Sequence, residues 1–155
     1  MGNQTNKLGS VIEIFSADKN HKAKVRPIVG KLELIKDHGI KNDKFAEKNL
    51  ESTVMIIGKN AYDLAKSHDI NLEYGSLGEN ILLDFDPNLL SVGTILTIGN
   101  SKIQITQKCT ICNHLSHYDD DLPRLIKNDR GMYCKIIQSG SIFKNMEVGA
   151  SDDWF

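Results

Sequence analysis

The sequence has no long hydrophobic run and no excess of either charge. Its apolar stretches are short pieces such as residues 54–57, whereas a membrane-spanning helix needs about 20 apolar residues. The formal net charge is -1, so there is no basic surplus of the kind that draws a protein to nucleic acid. Residues 1–10 are polar and lack the apolar core of a secretory signal. We therefore expect a cytoplasmic protein that binds neither membranes nor nucleic acid.

Proline and cysteine are also scarce, with three of each. No Ser/Gly-rich linker and no internal repeat divides the chain. A chain of 155 residues can bury roughly 70% of its unfolded surface, so its stability requires neither disulfides nor a metal. We expect a single domain over residues 1–155, with free thiols in a reducing cytosol.

The sequence does contain a series of short segments with strand character. Residues 102–106 alternate polar and apolar side chains, as a strand with one buried face requires, and Gly99-Asn100 indicates a hairpin with residues 94–98. Helical spacing is found at residues 60–68, and acidic residues before Pro123 indicate a shorter helix near residues 121–127. Further strand segments are residues 10–15, 25–35, 53–57, 80–85 and 132–137. The pattern predicts a mainly β fold with short helices, a closed or nearly closed β-barrel.

The chemically richest segment is residues 107–117, which contain Cys109 and Cys112. A cysteine reacts or binds metal as its thiolate, and neighbouring cations lower the thiol pKa toward that form. The candidate neighbours are Lys108, His114 and His117. From spacing alone, reactivity and simple burial explain the two cysteines equally well.

Other interpretations of the cysteines remain open. The C-x-x-C spacing also suits a redox dithiol, or half of a zinc site completed by His114 or His117. The dithiol lacks its usual position at a helix start in a βαβ unit, and the zinc site lacks a second cysteine pair. Cys134 alternates with Met132 and Ile136 in a strand pattern, so we predict that it is a small buried hydrophobic residue.

Three further segments carry polar groups that could face a ligand. Residues 75–80 read Gly-Ser-Leu-Gly-Glu-Asn, in which the glycines allow close backbone approach and Glu79 and Asn80 supply polar side chains. Asp43 and Lys44 lie in a turn-like segment. On spacing alone, solvent-exposed turns are the more common explanation. A basic cluster that could meet a phosphate consists of Lys22, Lys24 and Arg26.

Taken in order, these segments resemble the MOSC domain, named for the C-terminal domain of molybdenum cofactor sulfurases. The more specific elements are Gly78-Glu79-Asn80 and Ile105-Thr106-Gln107, the latter followed five residues later by Cys112. The other matching segments are residues 9–14, 39–44, 89–99 and 130–136. The resemblance spans nearly the whole chain. It implies a β-barrel-like fold and a role in binding molybdenum cofactor or in relaying sulfur to it.

The resemblance also implies roles for individual residues. Cys112 matches the family cysteine that carries a persulfide or ligates molybdenum, and a thiolate is both a soft metal ligand and a sulfur acceptor. The candidates for binding the anionic pterin phosphate are Lys22, Lys24, Arg26 and Lys108. The implied pocket has Gly78, Glu79 and Asn80 at its floor and Asp43 and Lys44 at its rim.

This chain departs from the family pattern at three positions. Many members have glycine and histidine where this chain has Asn42 and Phe45, and a family arginine is missing near Ser52. These departures predict weaker cofactor binding on that face. Full-length sulfurases also contain a pyridoxal-phosphate domain, for which 155 residues leave no room, so we do not expect this chain to bind pyridoxal phosphate.

Two alternatives to cofactor binding or sulfur relay follow. Some relatives reduce N-hydroxylated compounds with bound cofactor, and this chain would then need a redox partner, because it has no flavin, haem or iron–sulfur motif. Sulfur relay would likewise need a sulfur-donor protein. The non-enzymatic alternative is a zinc-binding or interaction module that uses Cys109, Cys112 and His114 or His117.

Overall fold

The computed structural model describes residues 5–21, 25–109, 115 and 118–151. Short strands dominate these residues, together with two helices, α1 (Lys59–Ser67) and α2 (Leu122–Leu125), and 3-10 turns at Leu50–Ser52 and Pro87–Leu89. The strands are β1 (Thr5–Ile14), β2 (Leu32–Ile35), β3 (Gly39–Ile40), β4 (Val54–Gly58), β5 (Ile81–Leu83), β6 (Ile95–Ile98), β7 (Ser101–Lys108), β8 (Met132–Gln138), β9 (Gly140–Ile142) and β10 (Glu147–Ser151).

Seven of these strands form a closed barrel in the order β1-β10-β6-β7-β8-β4-β5, and β5 pairs with β1 to complete it. The pairs are antiparallel except for β4 and β5, which run parallel with Ile56 opposite Ile81. A parallel pair needs a crossover connection, and α1 lies in that connection. Strands β3, β2 and β9 form a separate three-stranded sheet. The predicted mainly β, closed-barrel fold is confirmed.

The predicted hairpin is the connection between β6 and β7. Ile98 lies opposite Ser101, which leaves Gly99 and Asn100 as the turn. Gly99 has a φ of +59°, a conformation that glycine adopts without the steric cost borne by other residues. Beyond the turn, Ile103 and Ile105 are buried in the barrel, as their alternation predicts.

Strand β4 separates two apolar clusters. Val54 and Ile56 face the barrel interior, whereas Met55 and Ile57 face a second cluster on the outside, which we call the helix-side cluster. Both faces of β4 are therefore covered, which explains why its sequence is continuously apolar rather than alternating. The buried members of the helix-side cluster are Phe15, Met55, Ile57, Ala61, Tyr62, Ala65, Ile70, Leu77, Leu82, Cys109, Leu115, Leu122 and Ile126.

Other predicted elements are shorter than expected. Only Leu32–Ile35 of the predicted strand at residues 25–35 is a strand, and Pro27 has no N–H for a ladder. The residues before β2 meet the end of β1 through an isolated bridge between Phe15 and Ile28 and a bond from the Val29 N–H to the Ile14 carbonyl at 3.1 Å. Helix α1 agrees with the prediction within one residue, while α2 covers only four residues of the second predicted helix. No helix among the described residues is long and apolar enough to cross a membrane.

Candidate functional site

Asp43 lies in the turn after β3, and its side chain is completely buried. Its Oδ1 atom accepts hydrogen bonds from the Ser16 hydroxyl at 2.6 Å, the Ala17 N–H at 3.2 Å and Arg26 Nη1 at 3.3 Å. Its Oδ2 atom accepts the Phe45 N–H at 3.0 Å. Four donors on one carboxylate match its acceptor capacity. Asp43 therefore holds this turn against Ser16 and Ala17, which follow β1.

The same turn accommodates the two departures from the family pattern. Asn42 has a φ of +67°, a left-handed conformation that asparagine tolerates better than most residues, so the loss of the glycine does not prevent this backbone. Phe45, which replaces the histidine, has 46% of its surface exposed. The Arg26 guanidinium lies 5.1 Å from its ring centroid and Lys44 Nζ lies 5.4 Å away, distances typical of cation–π contacts.

Glu79 is buried against helix α1. The Tyr62 hydroxyl shares its single proton between the two carboxylate oxygens, at 2.8 and 2.6 Å, and the Gly75 N–H donates to Oε2 at 3.0 Å. The Tyr62 hydroxyl in turn accepts the N–H groups of Gly75 and Leu77, at 3.0 and 3.2 Å. Burial raises the pKa of Glu79, an effect that the Tyr62 and Gly75 hydrogen bonds and the charge of Arg130 oppose. The network holds residues 75–79 against α1.

Asn80 uses its side chain to join two strands. Its Oδ1 atom accepts the Met55 N–H at 2.9 Å, and its Nδ2 group donates to the Phe15 carbonyl at 3.2 Å. Its main chain also pairs with both residues, at 2.8 Å each. Gly78 precedes this pair of polar residues with a φ of +87°. Asn80 therefore connects β4 to the residue that follows β1.

The segments carrying Asp43 and Asn80 meet where β1 ends. Phe15 bonds Asn80, and the next two residues, Ser16 and Ala17, bond Asp43. A second connection runs through Arg26, whose N–H donates to the Gly75 carbonyl at 3.2 Å and whose side chain reaches Asp43. We call this assembly the β1 junction; it comprises residues 15–17, Arg26, Asp43 and residues 75–80.

A cavity of about 930 Å³ opens beside the β1 junction, and one of about 600 Å³ adjoins it through shared lining residues. Lys41 is paired with Glu33 at 3.5 Å, and His38 with Glu47 at 2.9 Å. Lys19 makes no ion pair with another described residue. The same holds for Lys48, so both ammonium groups can bind an anion. The larger cavity is lined by Asp18, Lys19, Asn20, His38, Lys41, Asn42, Asp43, Ala46, Glu47 and Lys48.

The cysteines differ in their surroundings. Cys134 lies in the barrel interior, where burial raises its thiol pKa far above the ordinary range; its predicted burial is confirmed. Cys109 is buried in the helix-side cluster, and its N–H donates to the Gly131 carbonyl at 3.0 Å. Lys108 is exposed at the end of β7. The predictions made for Lys22, Lys24, Cys112, His114 and His117 lie outside the described residues.

Arg130, the residue before Gly131, is buried, with 2% of its surface exposed. Its Nε and Nη1 groups have no hydrogen-bond partner among the described residues. Buried polar groups are nearly always paired, and the described anionic group on which the charge of Arg130 acts is the Glu79 carboxylate. No cluster of three His, Cys, Asp or Glu side chains in the described part of the chain could hold a metal ion.

The family model for the MOSC domain matches residues 31–151. The chain belongs to the MOSC domain family. This family is associated with molybdenum cofactor binding or sulfur-related function. The match includes Asp43 and residues 75–80 but begins after Arg26 and residues 15–17. No curated protein matches the sequence.

Solved structures share the MOSC fold at low sequence identity. The YuaD protein from Bacillus subtilis superposes with a TM-score of 0.74 at 16% identity, covering 97% of each chain. YiiM from Escherichia coli gives 0.69 at 16% identity, covering 92% of this chain and 69% of its own. YiiM from Geobacillus stearothermophilus gives 0.67 at 14% identity, with coverages of 95% and 75%. At these identities the likeness concerns the fold alone.

The described residues of this MOSC domain fit the chemical needs of a phosphate-bearing cofactor. The larger cavity has a volume usual for small-molecule sites, and Lys19 and Lys48 present unpaired cations to it. Tyr62 and Arg130 were not predicted as site residues from the sequence. Tyr62 resembles any apolar residue of an amphipathic helix, and the only signal for Arg130 was its place in the last matching family segment.

Proposed function

We propose that this MOSC domain binds molybdenum cofactor beside the β1 junction and that the Cys112 thiolate serves as soft metal ligand or as sulfur acceptor. The supporting observation is that Asp43, which lines a cavity of about 930 Å³, is joined through the β1 junction to Gly78-Glu79-Asn80, the second segment on which the family resemblance rests. A bound molybdenum centre would supply two-electron redox chemistry. The chain itself would supply binding and orientation.

The residues divide this work according to their contacts. Lys19 and Lys48 would bind the phosphate as point charges. Asp43 holds the turn that carries Lys44 in place through its four hydrogen bonds. Glu79 and Asn80 do not line the cavity; they hold the loop at residues 75–80 in place, since their polar atoms bond to Tyr62, Gly75, Met55 and Phe15.

Sulfur relay would use the same thiol. The Cys112 thiolate would attack the outer sulfur of a persulfide on a donor protein, forming a new S–S bond, while the donor leaves as its thiolate. Two described residues that flank Cys112 in sequence, Cys109 and Leu115, are buried in the helix-side cluster. Arg130 precedes Gly131, whose carbonyl accepts the Cys109 N–H; a cation near Cys112 would favour its thiolate.

The test is to purify the protein from a cofactor-producing host, measure molybdenum and pterin per chain, and examine Cys112 by mass spectrometry. We expect bound pterin, a persulfide on Cys112, or both. Cys112→Ser should abolish the persulfide and reduce molybdenum retention, whereas the matched Cys109→Ser variant should retain both. Absence of pterin and persulfide from the wild-type protein would disprove the proposal.

The zinc-binding alternative gives a different pattern in the same samples. Stoichiometric zinc that survives dialysis, and that is lost together with stability on Cys109→Ser, would favour a structural zinc site over cofactor binding. A separate pair of variants tests the cavity. Lys19→Gln combined with Lys48→Gln should lower pterin content, while Lys66→Gln, on the exposed side of α1, should leave it unchanged.

A further inference from the structure

Arg26 joins the Asp43 turn directly to the loop at residues 75–80, because its side chain bonds the turn and its main-chain N–H bonds the loop. Its Nη1 group bonds Asp43 Oδ1 at 3.3 Å, and its N–H bonds the Gly75 carbonyl at 3.2 Å. The packing at this point is close, because a Cβ atom on Gly75 would lie 2.7 Å from the Arg26 carbonyl oxygen. If either segment moves, Arg26 must therefore move as well or lose its contact.

Asp43 and Arg26 differ in how many other contacts hold their side chains. Asp43 keeps three other donors if the Arg26 side chain is removed. Arg26, whose side chain is 11% exposed, has Asp43 and the Phe45 ring as its described side-chain contacts. Truncating Arg26 thus leaves no buried carboxylate unpaired, so such a variant should fold. What it removes is the direct side-chain bond to Asp43, while the connection through residues 15–17 remains.

We propose that Arg26 is a positioning residue of the cofactor site, which couples the Asp43 turn to the loop at residues 75–80 and thereby sets how firmly the cavity holds an anionic, phosphate-bearing ligand. The inference rests on the proposed function for the identity of that ligand. The coupling itself is a property of the free protein. Binding is tighter when the walls of a site are held in the bound geometry beforehand, and Arg26 holds the Asp43 turn, which forms one wall of the cavity, against the loop at residues 75–80.

The coupling is tested in the free protein by hydrogen exchange. The N–H groups of Gly75, Leu77 and Asn80 are hydrogen-bonded and should exchange slowly. Asp43→Asn weakens the charge pair with Arg26, so it should speed exchange at these amides by roughly fivefold or more. In an Arg26→Met background the same Asp43→Asn change should have a clearly smaller effect, because the direct link through Arg26 is already absent and only the connection through residues 15–17 remains. Equal effects in both backgrounds would overturn the coupling.

The consequence for the ligand is tested by the pterin that remains after extended dialysis of protein from a cofactor-producing host. Arg26→Met should lose pterin roughly fivefold faster or more. Arg26→Lys should be intermediate, because lysine keeps the charge but not the planar group that stacks on Phe45. Arg124→Met, at an exposed arginine paired only with Asp121 among the described residues, is the matched control.

Different results would disprove the role of Arg26 and the proposed function. Wild-type protein that retains pterin, together with an Arg26→Met variant that retains it equally well, disproves the role of Arg26 and leaves the proposed function standing. Wild-type protein without pterin or persulfide disproves the proposed function, and hydrogen exchange then decides the coupling by itself.

Discussion

The barrel interior and the β1 junction are both buried, but the interior is packed with apolar side chains and the junction with polar ones. The interior is filled by aliphatic side chains from all seven barrel strands, with Cys134 as a small apolar member. The junction contains carboxylate, amide and guanidinium groups, which are joined by specific hydrogen bonds between segments distant in sequence. Apolar packing is stable without regard to direction, whereas buried polar groups are stable only when their partners are placed correctly. The stability of the junction therefore depends on the correct placement of its segments more than that of the interior does.

The largest expected effect tests the interior. Ile56→Ala removes a fully buried side chain from β4 and should reduce the free energy of unfolding by about 2–5 kcal/mol, because the cavity left behind cannot fully collapse. Urea denaturation measures this. The control is Leu89→Ala, at a side chain that is 84% exposed, which should change the free energy by less than about 0.5 kcal/mol. A small loss for Ile56→Ala would mean that the interior is loosely packed.

The next effect tests the polar network on α1. Tyr62→Phe removes the donor to Glu79 and the acceptor for the Gly75 and Leu77 N–H groups, so we expect a loss of about 1–3 kcal/mol. Tyr74→Phe is matched to it, since the two rings pack edge to face at 5.0 Å and Tyr74 is partly exposed. Equal losses from both variants would contradict the role assigned to the Tyr62 hydroxyl.

A pH series tests the charge of Glu79. Its folded-state pKa is raised above the ordinary value of 4.5, chiefly by burial, so the folded protein binds this proton more tightly than the unfolded chain does. Protonation of Glu79 therefore adds stability as the pH falls through the folded-state pKa. We expect the unfolding free energy of the wild type relative to Glu79→Gln to increase from pH 7 to pH 5. A decrease would mean that Arg130 and the hydrogen-bond donors outweigh burial.

The smallest effect is expected at the surface. Lys7 and Glu147 form an ion pair at 3.4 Å with side chains 60% and 73% exposed. A double-mutant cycle should give a coupling below about 1 kcal/mol, and salt near 1 M should remove most of it. A larger, salt-resistant coupling would show that ion pairs outside the junction also contribute to the fold.

The sequence predicted the elements whose pattern is local. Alternation at residues 102–106 and the Gly99-Asn100 turn predicted the β6–β7 hairpin, and helical spacing predicted α1. Strands β3, β9 and β10 were not predicted, because they are short and are defined by distant partners, such as Val148 opposite Ile98. The strand predicted at residues 25–35 was too long because its apolar residues suggested a ladder that Pro27 interrupts.

The candidate site was predictable to a similar degree. The resemblance singled out Asp43, Glu79 and Asn80, but no local pattern could reveal their partners. Tyr62 had the spacing of a core residue in a helix, and its hydroxyl gains a role only when residues 75–79 fold back onto α1. Arg26 was recognised as a cation without the information that it bonds Asp43 and Gly75.

By itself the sequence determined the barrel class, the apolar faces of its strands and the membership of the MOSC family, since these depend on residue periodicity and on motif order. Only the tertiary structure decided which polar residues meet. Ser16 and Asp43 are 27 residues apart, and Phe15 and Asn80 are 65 apart. Such contacts form only when barrel closure brings the end of β1 beside both turns, and a hydrogen bond requires the resulting geometry to be right within a few tenths of an ångström.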